Sequence, residues 1–340
     1  MGFSDIIGHT GVREILDRAV ERQRLHHAYL FAGPEGVGKE RVAIELFRRL
    51  NCRTGPERAC GQCSACRKIE ADAKSSRAPG NEAEVGYTFP DLMILRPQGR
   101  FTKIEQVRDV LRRVPYAPME GRWKCVLIRD AHRLHETAAN ALLKTLEEPP
   151  KDTMFVLCTH APHLLLQTIV SRCQPMRFGA LSRADVHGYL VKTASLTDVD
   201  AAPLAAMAEG SIGRALELLE NPVVQRRTEW LKSVQALTAE PDHRLLDRAE
   251  ELAAERGNLG LYLSLLRSWL RDQLLLLEGV SEDLIANVDL APEAKRAAAS
   301  NGRAFLLQGL QIIDETEWAL EGNAPPLLAM ERLFLKLFRP

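Results

Sequence analysis

The chain has 340 residues, 46% hydrophobic and 26% charged, the proportions of a folded soluble protein and not of a disordered or fibrous one. At that length two or three domains are expected, because a single core seldom grows past about 250 residues. Lys plus Arg and Asp plus Glu both number 45, which argues against the strong positive field of a stand-alone nucleic-acid binder.

The amino terminus, Met1 to Asp5, leads into an amphipathic segment with no basic stretch, apolar core and cleavage site, so no export is expected. Val12, Ile15, Leu16 and Ala19 follow helical spacing and predict a helix from Gly11 to about Arg24. Ala28 to Ala32 reads as a strand, Gly33 to Lys39 as a glycine-rich loop, and Ala43, Leu46, Phe47 and Leu50 as the next helix. Strand, loop and helix in that order form a phosphate-binding unit. Gly33, Gly36, Gly38 and Lys39 match the P-loop pattern, in which backbone N–H groups wrap phosphate oxygens and the lysine adds charge. Glu40 stands where a Ser or Thr would ligate Mg²⁺, so the loop is compatible with phosphate contact and its eighth position argues against productive Mg·ATP. The plainer alternative is a glycine turn that opens a helix.

Behind that helix Cys52, Cys60, Cys63 and Cys66 have the spacing C-x7-C-x2-C-x2-C. Four soft ligands can close a tetrahedral zinc site of the structural kind, with no open position for water. Unligated thiols or disulfides are the alternative; seven cysteines, an odd number with four clustered, suit a reducing cytosol better than a disulfide framework. Cys125, Cys158 and Cys173 lie in apolar contexts and read as buried small residues. Ala71 to Gly86, rich in Ser, Gly, Ala and charge, reads as a mobile loop.

Strands are predicted at Asp91 to Leu95, Cys125 to Ile128 and Met154 to Cys158, alternating with helices at Ile104 to Val114 and Glu136 to Glu147. This alternation implies a parallel sheet covered by helices. The strand ending at Ile128 runs into Arg129, Asp130 and Ala131. Asp130 holds the place of a metal-side acid or caps the following helix, and Ala131 occupies the place of an acid that would polarise water. After Phe178 the pattern is helical, with turn signals at Gly210, Asn221-Pro222, Pro241 and Gly257. Leu261 to Leu277 is apolar but broken by Arg267, Arg271 and Asp272, so it reads as a bundle helix and not a membrane span.

Asn140 to Pro150, followed by Ser171-Arg172-Cys173, resembles the signature of the AAA+ clamp-loader subunits of bacterial DNA polymerase III, as does the cysteine cluster behind the P-loop helix. Ile7 to His9, His27 to Phe31 and Pro90 to Leu92 extend the resemblance over about residues 1–220, and Glu321 to Ala329 hints at the family's collar. The resemblance implies an α/β P-loop AAA+ domain with a parallel five-stranded sheet over 1–178 and a zinc module at 52–66. An all-α lid at 179–222 and an all-α collar or oligomerisation domain at 223–340 would follow.

Within the family the choice lies between an ATP-hydrolysing motor of tau/gamma type and a non-hydrolysing, stator-like subunit. Glu40, Ala131 and Gly213, which stands where a motor carries a sensing arginine with Arg214 one place displaced, favour the second. The resemblance then implies a degenerate nucleotide site at Gly33, Gly36, Gly38, Lys39, Asp130 and Thr159. Thr159 is a sensor or simply a strand end. It also implies that Arg172 is an arginine finger acting in trans, against the plainer reading of a salt bridge at a helix end. Zinc is the implied cofactor, and the sequence leaves open whether ATP or ADP binds without hydrolysis. Implied partners are the tau/gamma and delta subunits, the sliding clamp and, through the assembled complex, primer-template DNA, in the cytoplasm and off the membrane. A zinc-dependent DNA-binding module is the rival from another class, disfavoured by the zero net charge.

Overall fold

The computed structural model describes residues 6–55, 59–75, 88–99, 101–237 and 240–339. The expectations for Met1 to Asp5 and for residues 76–86 fall outside these. The chain divides into two compact units, one comprising Met1–Asp185 with Gly210–Arg214, the other Val186–Glu209 with Ala215–Pro340.

The first unit follows the predicted alternation. In chain order it contains α1 (Thr10–Glu21), β1 (Ala28–Ala32), α2 (Lys39–Asn51), α3 (Ser64–Ser75), β2 (Leu92–Leu95) and α4 (Ile104–Arg113). Then come β3 (Lys124–Ile128), α5 (Glu136–Glu147), β4 (Thr153–Thr159), the single turn α6 (Gln167–Val170) and β5 (Gln174–Arg177). The five strands are parallel in the order β2-β3-β4-β1-β5, with Leu30 opposite Leu157 and Leu127 opposite Val156. Strand side chains alternate between faces, so Phe31, Leu127 and Val156 join Leu46 and Phe47 in one core while Leu30, Val126 and Phe155 join Val107 and Leu142 in the other. Both faces are covered, which is why β3 and β4 are almost continuously apolar.

The sequence pattern places four strands, and the fifth, β5, is visible only in the fold. Its residues Gln174-Pro175-Met176-Arg177 lack a strand's apolar alternation, and Met176 alone is buried. Pairing with β1 makes it a strand, and the sheet's edge is where a proline without an N–H is tolerated.

The loop expected from Ala71 is corrected at its start, because Ala71 to Ser75 complete α3. The reason is tertiary. Buried Asp72 accepts N–H bonds from Thr88 (2.9 Å) and Phe89 (2.9 Å), so one carboxylate fastens α3 to the chain that returns toward β2. Asp91 plays a similar part ahead of β2, accepting from the N–H groups of Met119 (2.7 Å), Glu120 (2.8 Å) and Gly121 (2.7 Å).

From Arg183 onward the described chain is helical: α7 (Arg183–Thr193), α8 (Asp198–Met207), α9 (Ile212–Glu220), α10 (Pro222–Gln225), α11 (Arg227–Ala236) and α12 (Asp242–Ala254), then α13 (Leu259–Leu277), α14 (Ala291–Glu321) and α15 (Pro326–Phe338). Leu263, Leu266, Trp269 and Leu270 of α13 are buried, as expected of a bundle helix. Buried Asp272 accepts from the N–H groups of Ala286 (2.9 Å) and Asn287 (2.7 Å), so the residue that breaks the apolar run ties the next connection to α13. Among the described residues no helix is long and apolar enough to cross a membrane.

Candidate functional site

In a parallel sheet the segments that leave the carboxyl ends of the strands share one edge. Here β1, β3 and β4 deliver Gly33, Asp130 and Thr159 to that edge, and the N–H of Gly33 donates to the Thr159 carbonyl at 3.1 Å. The structure thus brings together the residues predicted for a degenerate nucleotide site: Gly33, Gly36, Gly38, Lys39, Asp130 and Thr159.

The loop is closed on itself. Lys39 Nζ donates to the carbonyls of Gly33 (2.7 Å) and Pro34 (2.5 Å), and burial pushes the pKa of this lysine down against the opposing charges of Glu35 and Asp130. Gly36 has φ 69° and Gly38 φ 105°, backbone that L side chains rarely adopt. The Gly213 N–H donates to the Gly36 carbonyl at 2.9 Å, and a Cβ on Gly213 would lie 2.8 Å from the Gly36 Cα. Gly213 is therefore a glycine because its backbone lies against the loop, in the place where the family resemblance leads one to look for an arginine. From the other end of the unit, His9 Nε2 reaches the Val37 carbonyl at 2.8 Å.

Glu40 is not a bare carboxylate beside the loop, since it forms an ion pair with Arg129 at the end of β3. Asp130 has left-handed backbone, φ 44°, and makes no capping bond; His135 caps α5 instead, which removes the capping alternative for Asp130. Ala131 is fully buried. Thr159 Oγ1 accepts from the Ala161 N–H at 3.0 Å and lies 3.1 Å from His132 Nδ1. Burial, then the neighbouring His160, lowers the pKa of His132. Glu40 and Ala131 stand in this corner at the positions where the P-loop pattern leads one to look for a Mg²⁺-ligating hydroxyl and a water-polarising acid.

The four cysteines meet around the carboxyl end of α2 and the start of α3, their sulfurs all within 4.8 Å of one another. A tetrahedral ion with Zn–S bonds of about 2.3 Å would hold sulfurs about 3.8 Å apart, within the 4.8 Å that bounds these four, so the donor set fits zinc. Backbone N–H groups already point at sulfur, from Cys60 to Cys52 Sγ (3.3 Å) and from Cys63 to Cys60 Sγ (3.3 Å). The N–H groups of Cys63 and Gln62 bring the Cys60 thiol down to about 6, whereas burial raises Cys66 to about 12. No cysteine is in a disulfide, and Cys125, Cys158 and Cys173 are buried as expected.

Arg172 lies elsewhere. It immediately precedes Cys173 and β5, whereas the P-loop follows β1, so it sits at the amino edge of the sheet. At about 3.3 Å per strand residue the two are separated by on the order of 15 Å. Its Nε donates to Glu147 Oε1 at 2.8 Å and its Nη1 to the Thr168 carbonyl at 2.8 Å, with Nη2 also on Glu147. The two signature motifs, one ending α5 and the other preceding β5, therefore meet through an ion pair, with the Arg172 side chain still 31% exposed.

Sequence reasoning missed Arg129, Glu147, His132 and His160. Glu147 lay within the Asn140 to Pro150 signature and Arg129 directly after the strand ending at Ile128, while His132 and His160 were marked only by standing close after Asp130 and Thr159.

Fold and loop together define an α/β protein of P-loop type. Residues 8–182 match the family described as DNA polymerase III, delta subunit, and the chain belongs to that family. It is 30% identical over 332 residues to the DNA polymerase III subunit delta′ of Bacillus subtilis, covering 96% of this chain and 95% of that one. It is also 38% identical over 243 residues to the DNA polymerase III subunit tau of Escherichia coli, covering 70% of this chain but 35% of tau, and so spans about a third of that longer relative. Among solved structures, a DNA polymerase III gamma subunit-related protein from Thermotoga maritima superposes with TM-score 0.48 at 19% identity, over 96% of this chain and 98% of that one.

Proposed function

We propose that this chain is the stator-like, non-hydrolysing subunit of a DNA polymerase III clamp loader, which helps to load the sliding clamp onto primed DNA and supplies Arg172 to the ATP site of a neighbouring subunit. The observation that carries the reading is the contrast within one sheet. The chain's own phosphate loop is closed by Lys39, Gly213 and the Glu40–Arg129 pair, while a partly exposed arginine stands on the opposite edge, too far away to serve that loop. Arginine suits the task because its guanidinium stays charged and offers a planar fork to phosphate oxygens. Glu147 positions that fork, and would exchange with or share it alongside a partner's phosphate.

We further read residues 1–178 as the AAA+ domain, 179–222 as a lid and 223–340 as the collar that joins tau/gamma and delta subunits in a cytoplasmic complex. Trp318 and Leu328, both large and exposed on the helical unit, support an assembly role there. Cys52, Cys60, Cys63 and Cys66 would hold zinc, which supplies structure and no open coordination position.

ATP turnover tests the proposal directly. The isolated chain is expected to hydrolyse no ATP above background, and a complex reconstituted with tau/gamma, delta, clamp and primed DNA to be fully active with it. Turnover by the isolated chain that Lys39→Ala abolishes would overturn the non-hydrolysing assignment.

A further inference from the structure

At the carboxyl edge of the sheet Asp130 is grouped with two histidines, His132 and His160, that the clamp-loader reading does not use. Asp130, His132 and His160 each offer a ligand atom, and these atoms lie within 4.8 Å of one another. We infer that they form a second metal site, separate from the cysteines, for a first-row divalent transition ion such as Zn²⁺, Co²⁺ or Ni²⁺. The inference stands on these residues alone and holds whether or not the clamp-loader reading does.

Adjacent strands build the site. β3 and β4 pair directly, so the segments leaving them emerge side by side. Asp130 turns in the left-handed region and His132 follows in the short 3-10 helix, while His160 comes directly after β4. The imidazoles of His132 and His160 meet edge to face with centroids 4.2 Å apart. Metal bonds of about 2.0–2.1 Å in a tetrahedral arrangement set donor atoms about 3.3–3.4 Å apart. That spacing falls within the 4.8 Å that bounds the three ligand atoms, and His160 is exposed, with room for its side chain to turn onto an ion.

The donor set selects the ion. Mg²⁺ prefers oxygen ligands and keeps its waters, whereas two imidazoles and one carboxylate suit Zn²⁺, Co²⁺ or Ni²⁺. A metal-bound histidine usually has its other ring nitrogen hydrogen-bonded, which fixes the ring. Thr159 Oγ1, 3.1 Å from His132 Nδ1, is such a partner for one nitrogen of that ring. Fully buried Ala131 between Asp130 and His132 adds no competing carboxylate. Three protein ligands with an exposed side leave further positions to water, unlike the closed four-cysteine set.

The test uses the full chain with one equivalent of zinc already on its cysteines. Titration with Co²⁺, followed by visible absorption and equilibrium dialysis, is expected to show a further equivalent with ligand-field bands and no thiolate charge-transfer band. Millimolar Mg²⁺ should not displace it. His160→Ala, at an exposed position where folding is not at stake, and Asp130→Asn should each weaken this equivalent by about 10-fold or more. Absence of the further equivalent, thiolate bands in its spectrum, displacement by Mg²⁺, or unchanged affinity in His160→Ala would each overturn the inference. So would an equivalent that survives His132→Ala combined with His160→Ala, since the ion would then sit elsewhere, as on the stacked pair His26 and His27.

Discussion

At the carboxyl edge of the sheet Lys39 lies on the carbonyls of Gly33 and Pro34 and Glu40 is paired with Arg129, whereas at the amino edge Arg172 stands partly exposed beside Glu147. Both edges satisfy their charges, but by different means. Lys39 is largely removed from water, so an incoming phosphate would have to displace bonds in a pocket where burial already disfavours the ammonium. Arg172 keeps contact with solvent and holds an always-charged fork against a carboxylate that a phosphate can replace at little desolvation cost. The two edges thus offer a phosphate different things: a buried ammonium already bonded within its own loop, and a partly exposed guanidinium held by a carboxylate.

The largest effect expected from breaking this contrast is at Arg172. In the reconstituted complex Arg172→Ala should lower clamp- and DNA-stimulated ATP turnover by about 10³-fold, the scale of a lost arginine finger, with assembly intact. Arg172→Lys should restore little, because a point charge lacks the fork. Stimulated turnover equal to wild type would reduce Arg172 to its ion pair with Glu147.

Next in size is the cysteine module, whose closed donor set contrasts with both edges. Structural zinc sites contribute binding free energies of about 10–16 kcal/mol to small domains, so Cys63→Ser should lose the tightly held ion and loosen residues 52–66. Metal analysis and limited proteolysis read this outcome. A full equivalent of zinc retained at an unchanged local fold would show that Cys63 is not a ligand.

Two smaller tests probe how firmly the loop is closed. Glu40→Thr restores a hydroxyl at the Mg²⁺ position but removes the carboxylate paired with the mostly buried Arg129. Urea unfolding should show a loss of about 2–3 kcal/mol, between the values for exposed and buried pairs. No ATP turnover should appear, and turnover gained by this one change would mean that the corner is open. Gly213→Ala places a Cβ 2.8 Å from the Gly36 Cα and should cost about 1–2 kcal/mol by overpacking. Faster hydrogen exchange at the residue 213 amide is the accompanying signature; an unchanged rate and stability would mean that the loop yields freely.

Much of this was legible in the sequence, and the particular residues show why. The P-loop, the strand before it and the helix after it occupy one continuous stretch, so Gly33 to Lys39 could be read directly. The cysteine spacing placed four sulfurs within reach of one ion with no knowledge of the sheet. α5 was predicted from Glu136 to Glu147 with both ends correct, because its apolar period is local. β5 was missed because neither its Pro175 nor its polar residues follow a strand pattern, and its hydrogen-bonding partner β1 lies more than a hundred residues earlier. The capping alternative for Asp130 survived in the sequence because aspartate is a common N-cap, and fell only to the fold, in which its side chain makes no capping bond and His135 caps α5.

By itself, then, the sequence determined the alternating α/β half and the helical remainder, the glutamate and alanine at positions 40 and 131, and the metal-ligand spacing of four cysteines. These follow from residue identity and short periods along the chain. Only the tertiary structure decided that Gly213 closes on Gly36, that Glu147 holds Arg172 on the edge away from the P-loop, and that Asp130, His132 and His160 converge. The physical reason is strand order. Placing β1 between β4 and β5, and β3 beside β4, sets which distant segments share an edge, and that order is selected by burying both faces of the sheet at once, not by any local run of residues.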